Sequence, residues 1–141
     1  MYNIRKEIHF CYGHRLLNHT GPCRYLHGHN AIALICLNSE ELDKLGMVCD
    51  FSELGHFAKA WVDRELDHQL LLHQDDPLIP WLQQAGERHR VLACNPTAEN
   101  IAKLIFEALA AAKFSVSEVT VYETPTASAS YSHATAYGQT R

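Results

Sequence analysis

The feature that most constrains this chain is His27-Gly28-His29 running directly into Asn30-Ala31-Ile32-Ala33-Leu34-Ile35-Cys36-Leu37. The apolar run reads as a strand over residues 29–37, and side-chain alternation in a strand then puts His27 and His29 on one face. A second strand is read over residues 4–13, leading into His14 within Phe10-Cys11-Tyr12-Gly13-His14-Arg15-Leu16. Two imidazoles on one face, joined by a third from a neighbouring strand, leave one side of an ion open. That is the pattern of catalytic zinc, whereas structural zinc usually closes its shell with four protein ligands. Ten histidines in this chain also make chance pairs. His9, His19, His56, His73, His89 and His133 are read as ordinary surface or core residues. The pair stands apart because Gly28 removes bulk between the rings, and two inward imidazoles are poor core material without a partner.

A chain of 141 residues with 47% hydrophobic content is long enough for one domain with its own core and too short for two ordinary ones. The expected unit is a single domain over 1–141. With 12 Lys+Arg against 16 Asp+Glu the formal charge is -4, which gives no general affinity for nucleic acid or an anionic membrane. No apolar run approaches the roughly 20 residues a membrane helix needs, and the opening Met-Tyr-Asn-Ile-Arg-Lys-Glu has no signal-peptide core. A cytoplasmic protein is expected. The five cysteines lack a C-x-x-C pair, so a disulfide framework is not expected. Cys11, Cys36, Cys49 and Cys94 read as small hydrophobes. Cys23 differs because it lies in the turn-like Gly21-Pro22-Cys23-Arg24, where a cation beside a thiol favours the thiolate.

Asp50-Phe51-Ser52-Glu53 has the form of a capping box, and Leu54, Phe57, Ala58, Trp61 and Val62 then recur at helical spacing to about Leu66. Residues 72–95 read as a long connection in which Leu78 to Ala85 allow a short helix. Asn95-Pro96-Thr97-Ala98-Glu99 opens a second helix with the stripe Ile101, Leu104, Ile105, Ala108, Leu109 and Ala112. Ser115 to Glu123 alternates like a strand, and 129–138 is read as the last one. The order ββααββ predicts an antiparallel sheet with two helices on one face, of the α+β class. Val119, Val121 and Glu123 share a face, so Glu123 either ends the strand in solvent or waits inside for a hydrogen-bonding partner. Asp67-His68 is likewise either a surface dipeptide or a proton relay.

Taken together, Phe10 to Leu16 around His14, Cys23-x3-His27-Gly28-His29-Asn30, Gly46-Met47-Val48-Cys49-Asp50-Phe51, Leu66-Asp67-His68, Pro96-Thr97-Ala98-Glu99-Asn100 and Glu123-Thr124 resemble the 6-pyruvoyltetrahydropterin synthase and 6-carboxytetrahydropterin synthase family over nearly the whole chain. The resemblance implies a tunnelling fold, in which ββααββ subunits close an oligomeric β-barrel in rings, here as a homohexamer of two stacked trimers with active sites at subunit boundaries. It implies Zn2+ on His14, His27 and His29, a catalytic thiol at Cys23 assisted by Asp67 and His68, and a pterin-anchoring carboxylate at Glu123. Thr97 and Glu99 match a motif near that pocket.

The implied reaction is that of a zinc-dependent lyase converting 7,8-dihydroneopterin triphosphate to 6-carboxy-5,6,7,8-tetrahydropterin, a step toward queuosine, with loss of triphosphate and acetaldehyde. The alternatives are the 6-pyruvoyl product of the biopterin route, or a zinc hydrolase using the same three histidines, which gives Cys23 and Glu123 no necessary task. Two positions depart from the family's usual pattern. Tyr12-Gly13 stands where two small residues are usual, and Leu72 stands where many members have Asn.

Overall fold

In the computed structural model, which describes residues 1–133, the first 39 residues form an antiparallel hairpin of β1 (Tyr2–His14) and β2 (His27–Ser39). Its register runs unbroken from Tyr2 opposite Ser39 to His14 opposite His27. The strands alternate as the sequence predicts. Ile8, Phe10, Tyr12 and His14 of β1 and Ala31, Ala33, Ile35 and Leu37 of β2 are buried on one face.

The chain continues through α1 (Phe51–Glu65), β3 (Gln69–His73), α2 (Ile79–Ala85), β4 (His89–Leu92), α3 (Ala98–Ala111), β5 (Val116–Thr124) and β6 (Ala127–Ser132). Asp50 caps α1 by accepting the Ser52 N–H at 2.7 Å, and Thr97 caps α3 by accepting the Asn100 N–H at 3.2 Å. Leu54, Ala58 and Val62 of α1 and Ile101, Ile105, Phe106 and Leu109 of α3 pack with Val119 and Val121 of β5 onto the buried face of the hairpin. Each of these side chains other than Ala58 contributes about 1.5–3 kcal/mol on removal from water. Both long helices therefore lie on one face, as expected, and the class is α+β.

The sheet itself departs from the expectation. It has six strands in the order β4-β3-β1-β2-β5-β6, and it is mixed. The four strands β1, β2, β5 and β6 are antiparallel as read from the sequence, but β3 runs parallel to β1 and β4 parallel to β3. Thus 72–95 is not a plain connection, and α2 makes a third helix. Leu71 and Leu72 are both fully buried, so β3 shows none of the alternation by which a half-buried strand is recognised. The last strand ends at Ser132, and the rest of the expected 129–138 lies outside the described residues beyond His133. No helix among the described residues is long and apolar enough to cross a membrane.

Candidate metal centre and active site

The hairpin register settles where the three histidines meet. His14 pairs with His27 and Tyr12 with His29 across β1 and β2, so His14, His27 and His29 project from adjacent positions of one face. One ring nitrogen of each lies within 4.8 Å of the others. His14 Nδ1 donates to the Pro96 carbonyl at 2.7 Å, and His27 Nδ1 donates to the Tyr25 carbonyl at 2.7 Å. A carbonyl only accepts, so both rings carry their proton on Nδ1 and turn the Nε2 lone pair inward, as outer hydrogen bonds do for metal-ligating histidines. His14 Nε2 faces His29 Nε2 at 3.2 Å. A cation beside that pair satisfies lone pairs that otherwise have only each other. Burial lowers the His14 pKa, and His27 and His29 push the same way against the Pro96 carbonyl and Glu123. The neutral imidazole is the form that ligates. The donor set of three imidazole nitrogens fits zinc with an open position.

Glu123 lies inside, not in solvent. Its Oε1 accepts the Tyr12 O–H at 2.9 Å, and its two oxygens lie 3.8 Å from His14 Nε2 and 3.9 Å from His29 Nε2. Burial first, then the Glu123 charge and hydrogen bond, raise the Tyr12 pKa, so the phenol stays a donor. The three histidines, Glu123, Cys23, Thr97 and Glu99 line one cavity of about 370 Å³. Seven of the positions read from sequence thus surround a single space with His14 at its buried base. Thr97 spends its hydroxyl on the α3 cap. Cys23 sits in a 3-10 turn over Pro22–Arg24, while the Arg24 guanidinium is taken up by the Thr20 carbonyl and the Tyr25 hydroxyl.

Asp67 and His68 are elsewhere. His68 is held at φ 55° in the left-handed region, where non-glycine residues are uncommon. The turn is pinned to β1 through Cys11: the His68 N–H donates to the Cys11 carbonyl at 2.7 Å, and Asp67 Oδ1 accepts the Cys11 N–H at 2.9 Å. His68 Nδ1 then lies 2.6 Å from Asp67 Oδ2, an orienting bond for a ring that is itself exposed. Burial raises the Asp67 pKa, but the Cys11 N–H and His68 outweigh it and hold the carboxyl below its usual range. Cys11 is more than a small hydrophobe here. Its Sγ lies 3.6 Å from His68 Nδ1 and 3.7 Å from Nε2, equidistant from both nitrogens and so against the ring rather than along a lone pair. Cys11, Asn30 and His68 line a different cavity, of about 610 Å³, which also reaches Tyr12, His27 and His29 at the end of the hairpin. Because Cys11 and Asn30 alternate with Tyr12 and His29, their side chains leave the sheet on the face opposite to His14 and Glu123.

Sequence reasoning missed Tyr12, whose hydroxyl reaches across 111 positions to Glu123. A single tyrosine in an apolar alternation carries no local mark of such a bond.

Residues 3–134 match the family model described as 6-pyruvoyl tetrahydropterin synthase. A protein of Rickettsia bellii named 6-carboxy-5,6,7,8-tetrahydropterin synthase is 38% identical over 132 residues, covering 89% of this chain and 96% of that protein. A protein of the same name from Haemophilus influenzae is 32% identical over 93% of this chain and 99% of its own length. Among solved structures, an uncharacterised protein from Wolinella succinogenes superposes with a TM-score of 0.78 at 30% identity, covering 94% of this chain and 98% of that one. The Caenorhabditis elegans 6-pyruvoyl tetrahydropterin synthase shares the fold, with a TM-score of 0.69 at 23% identity over 93% of this chain and 94% of its own. The chain belongs to the 6-pyruvoyl tetrahydropterin synthase family.

Proposed function

We propose that this protein is a zinc-dependent lyase that converts 7,8-dihydroneopterin triphosphate and water to 6-carboxy-5,6,7,8-tetrahydropterin, triphosphate and acetaldehyde, and that it serves queuosine synthesis in the cytoplasm. The observation that carries the proposal is the single cavity in which three inward imidazoles face a carboxylate and a thiol. A hydrolase would need the histidines alone. The names of the relatives from Rickettsia bellii and Haemophilus influenzae support the 6-carboxy product.

His14, His27 and His29 would hold zinc, which supplies a Lewis acid for the oxygens of the substrate side chain. Glu123 accepts the amino and ring N–H groups of the pterin as a two-pronged fork, giving both affinity and orientation. Cys23, on the same cavity wall, takes the proton from the carbon beside those oxygens. Glu99 and Thr97 close the wall beside Glu123. His68, oriented by Asp67, shuttles the proton.

Asp67 and His68 do not serve Cys23 of their own chain in this reading, since the His68 ring lies against the Cys11 side chain, which leaves the sheet on the face opposite to Glu123, and Asp67 is bonded to that ring. A neighbouring copy therefore supplies them. β4 and β6 are the two edge strands, and unpaired edges invite pairing with another chain. Closing them in a ring gives the homohexamer of two trimers that the family resemblance implies.

The test is to incubate the zinc-loaded protein with 7,8-dihydroneopterin triphosphate and to assay triphosphate, acetaldehyde and the pterin products. Equimolar acetaldehyde and 6-carboxy product support the proposal. The 6-pyruvoyl product without acetaldehyde overturns the product assignment, and release of phosphate with an intact pterin side chain favours a hydrolase.

A further inference from the structure

Glu123 can act as a fork only if both oxygens are aimed at the ring edge of the ligand, and nothing in a carboxylate enforces that. The last torsion of a glutamate is broad and has no sharp staggered wells. On its own side of the cavity the carboxylate also faces His14 Nε2 at 3.8 Å and His29 Nε2 at 3.9 Å. Both are beyond hydrogen-bond reach, but a cation held by the imidazoles would draw the carboxylate toward them. The direct hydrogen bond that the structure gives Glu123 comes from Tyr12, at 2.9 Å.

Tyr12 is built to be a fixed donor. Its side chain is 3% exposed. The ring stacks on Phe10 with centroids 5.6 Å apart and 24° between planes, and it meets His14 edge-on at 5.0 Å and 88°. A ring held on two sides fixes where its oxygen sits, and the acceptor at that point is Glu123. A carboxylate has about four acceptor positions; Tyr12 uses one, which leaves enough for two parallel N–H donors.

We propose that Tyr12 is a positioning residue for pterin recognition: its hydroxyl holds Oε1 of Glu123 so that the carboxylate faces the pterin edge and does not turn toward the three histidines. The proposal rests on the reading of Glu123 as the pterin anchor. Tyr12 does not touch the substrate and acts through Glu123.

The experiment is a double-mutant cycle on the zinc-loaded protein, with pterin itself as the probe and its fluorescence as the binding signal. Tyr12→Phe keeps the ring stack and removes only the O–H. It should raise the pterin Kd about fivefold, the worth of one net hydrogen bond, and leave the zinc content unchanged. In the Glu123→Ala background, which should itself weaken binding, the same Tyr12→Phe change should have no further effect. A general packing defect would lower affinity equally in both backgrounds, and that result overturns the proposal. So does an unchanged Kd for Tyr12→Phe where Glu123→Ala binds weakly. If Glu123→Ala binds pterin as tightly as wild type, the anchor reading fails and the positioning role goes with it, an outcome told apart by that one variant.

Discussion

Cys11 and Tyr12 are consecutive on β1, yet their side chains leave the sheet on opposite faces, Tyr12 to Glu123 and Cys11 to the ring of His68. One peptide unit thus separates the space holding the thiol of Cys23 from the space holding the Asp67-His68 pair. A site that needs both must be shared between chains. Cys23→Ala and His68→Ala proteins should each be inactive alone. Refolded together in equal amounts they should recover about a quarter of wild-type activity, since neighbours combine at random around a symmetric ring. An inactive mixture whose oligomers match wild type in size by light scattering would falsify the shared site.

Zinc content should follow His14, His27 and His29 and be independent of Cys23. A thiolate ligand would make a fourth protein donor and remove the open position. Elemental analysis separates the two cases. Cys23→Ala should keep a full complement with turnover lost, while His14→Ala, at the buried base of the cavity, should be purified largely without metal. The opposite pattern reverses the assignment of ligand and catalyst.

Gly28 sets the spacing of the ligands. A Cβ at this position would lie 2.9 Å from the Tyr12 carbonyl oxygen, which is backbone and cannot step aside without parting β1 from β2. A Cβ at Gly13 would meet the Leu70 Cδ2 at 2.6 Å, the tip of a side chain that can rotate. Gly28→Ala should therefore cost about 1–3 kcal/mol in denaturant titration and weaken zinc binding, and Gly13→Ala should cost less. Equal losses in the two variants would remove the strand-spacing argument.

The parts of this molecule legible in the sequence were those whose chemistry repeats along the chain. Alternation in 29–37 puts His27 and His29 together, and the stripe from Ile101 to Leu109 marks α3. The row of Val119 and Val121 puts Glu123 on their face but leaves open whether it ends in solvent; the Tyr12 hydroxyl, far away in sequence, decides it. β3 and β4 were hidden for a physical reason. In β3 the run Leu70-Leu71-Leu72, with Leu71 and Leu72 both buried, offers no phase to read, and β4 is an edge strand of four residues, too short to show a rhythm. The contacts of Cys11 with Asp67 and His68 span 56 and 57 positions. Such pairings depend on the β1–β3 register, which no local pattern encodes.

Arg15 and Asp76 carry the last prediction, on acid stability. The Asp76 side chain is fully buried, takes the Arg15 Nε–H at 2.7 Å and the Leu78 N–H at 2.8 Å, and so ties the residue after His14 to the turn before α2. The Arg15 guanidinium foremost, against burial and with the help of the Leu78 N–H, holds the Asp76 carboxyl below its usual range. A carboxyl whose folded pKa is depressed adds stability that is fully present above the unfolded value of about 3.9 and is lost as pH falls through the folded value. Wild-type stability should then drop steeply below about pH 4. Asp76→Asn should be less stable at neutral pH by about 2–3 kcal/mol, because Arg15 is left part-buried without its partner charge. Its stability should also fall less steeply in acid. Chemical denaturation at a series of pH values measures both effects, and parallel curves for the two proteins would show that Asp76 is not the group whose protonation unfolds the chain.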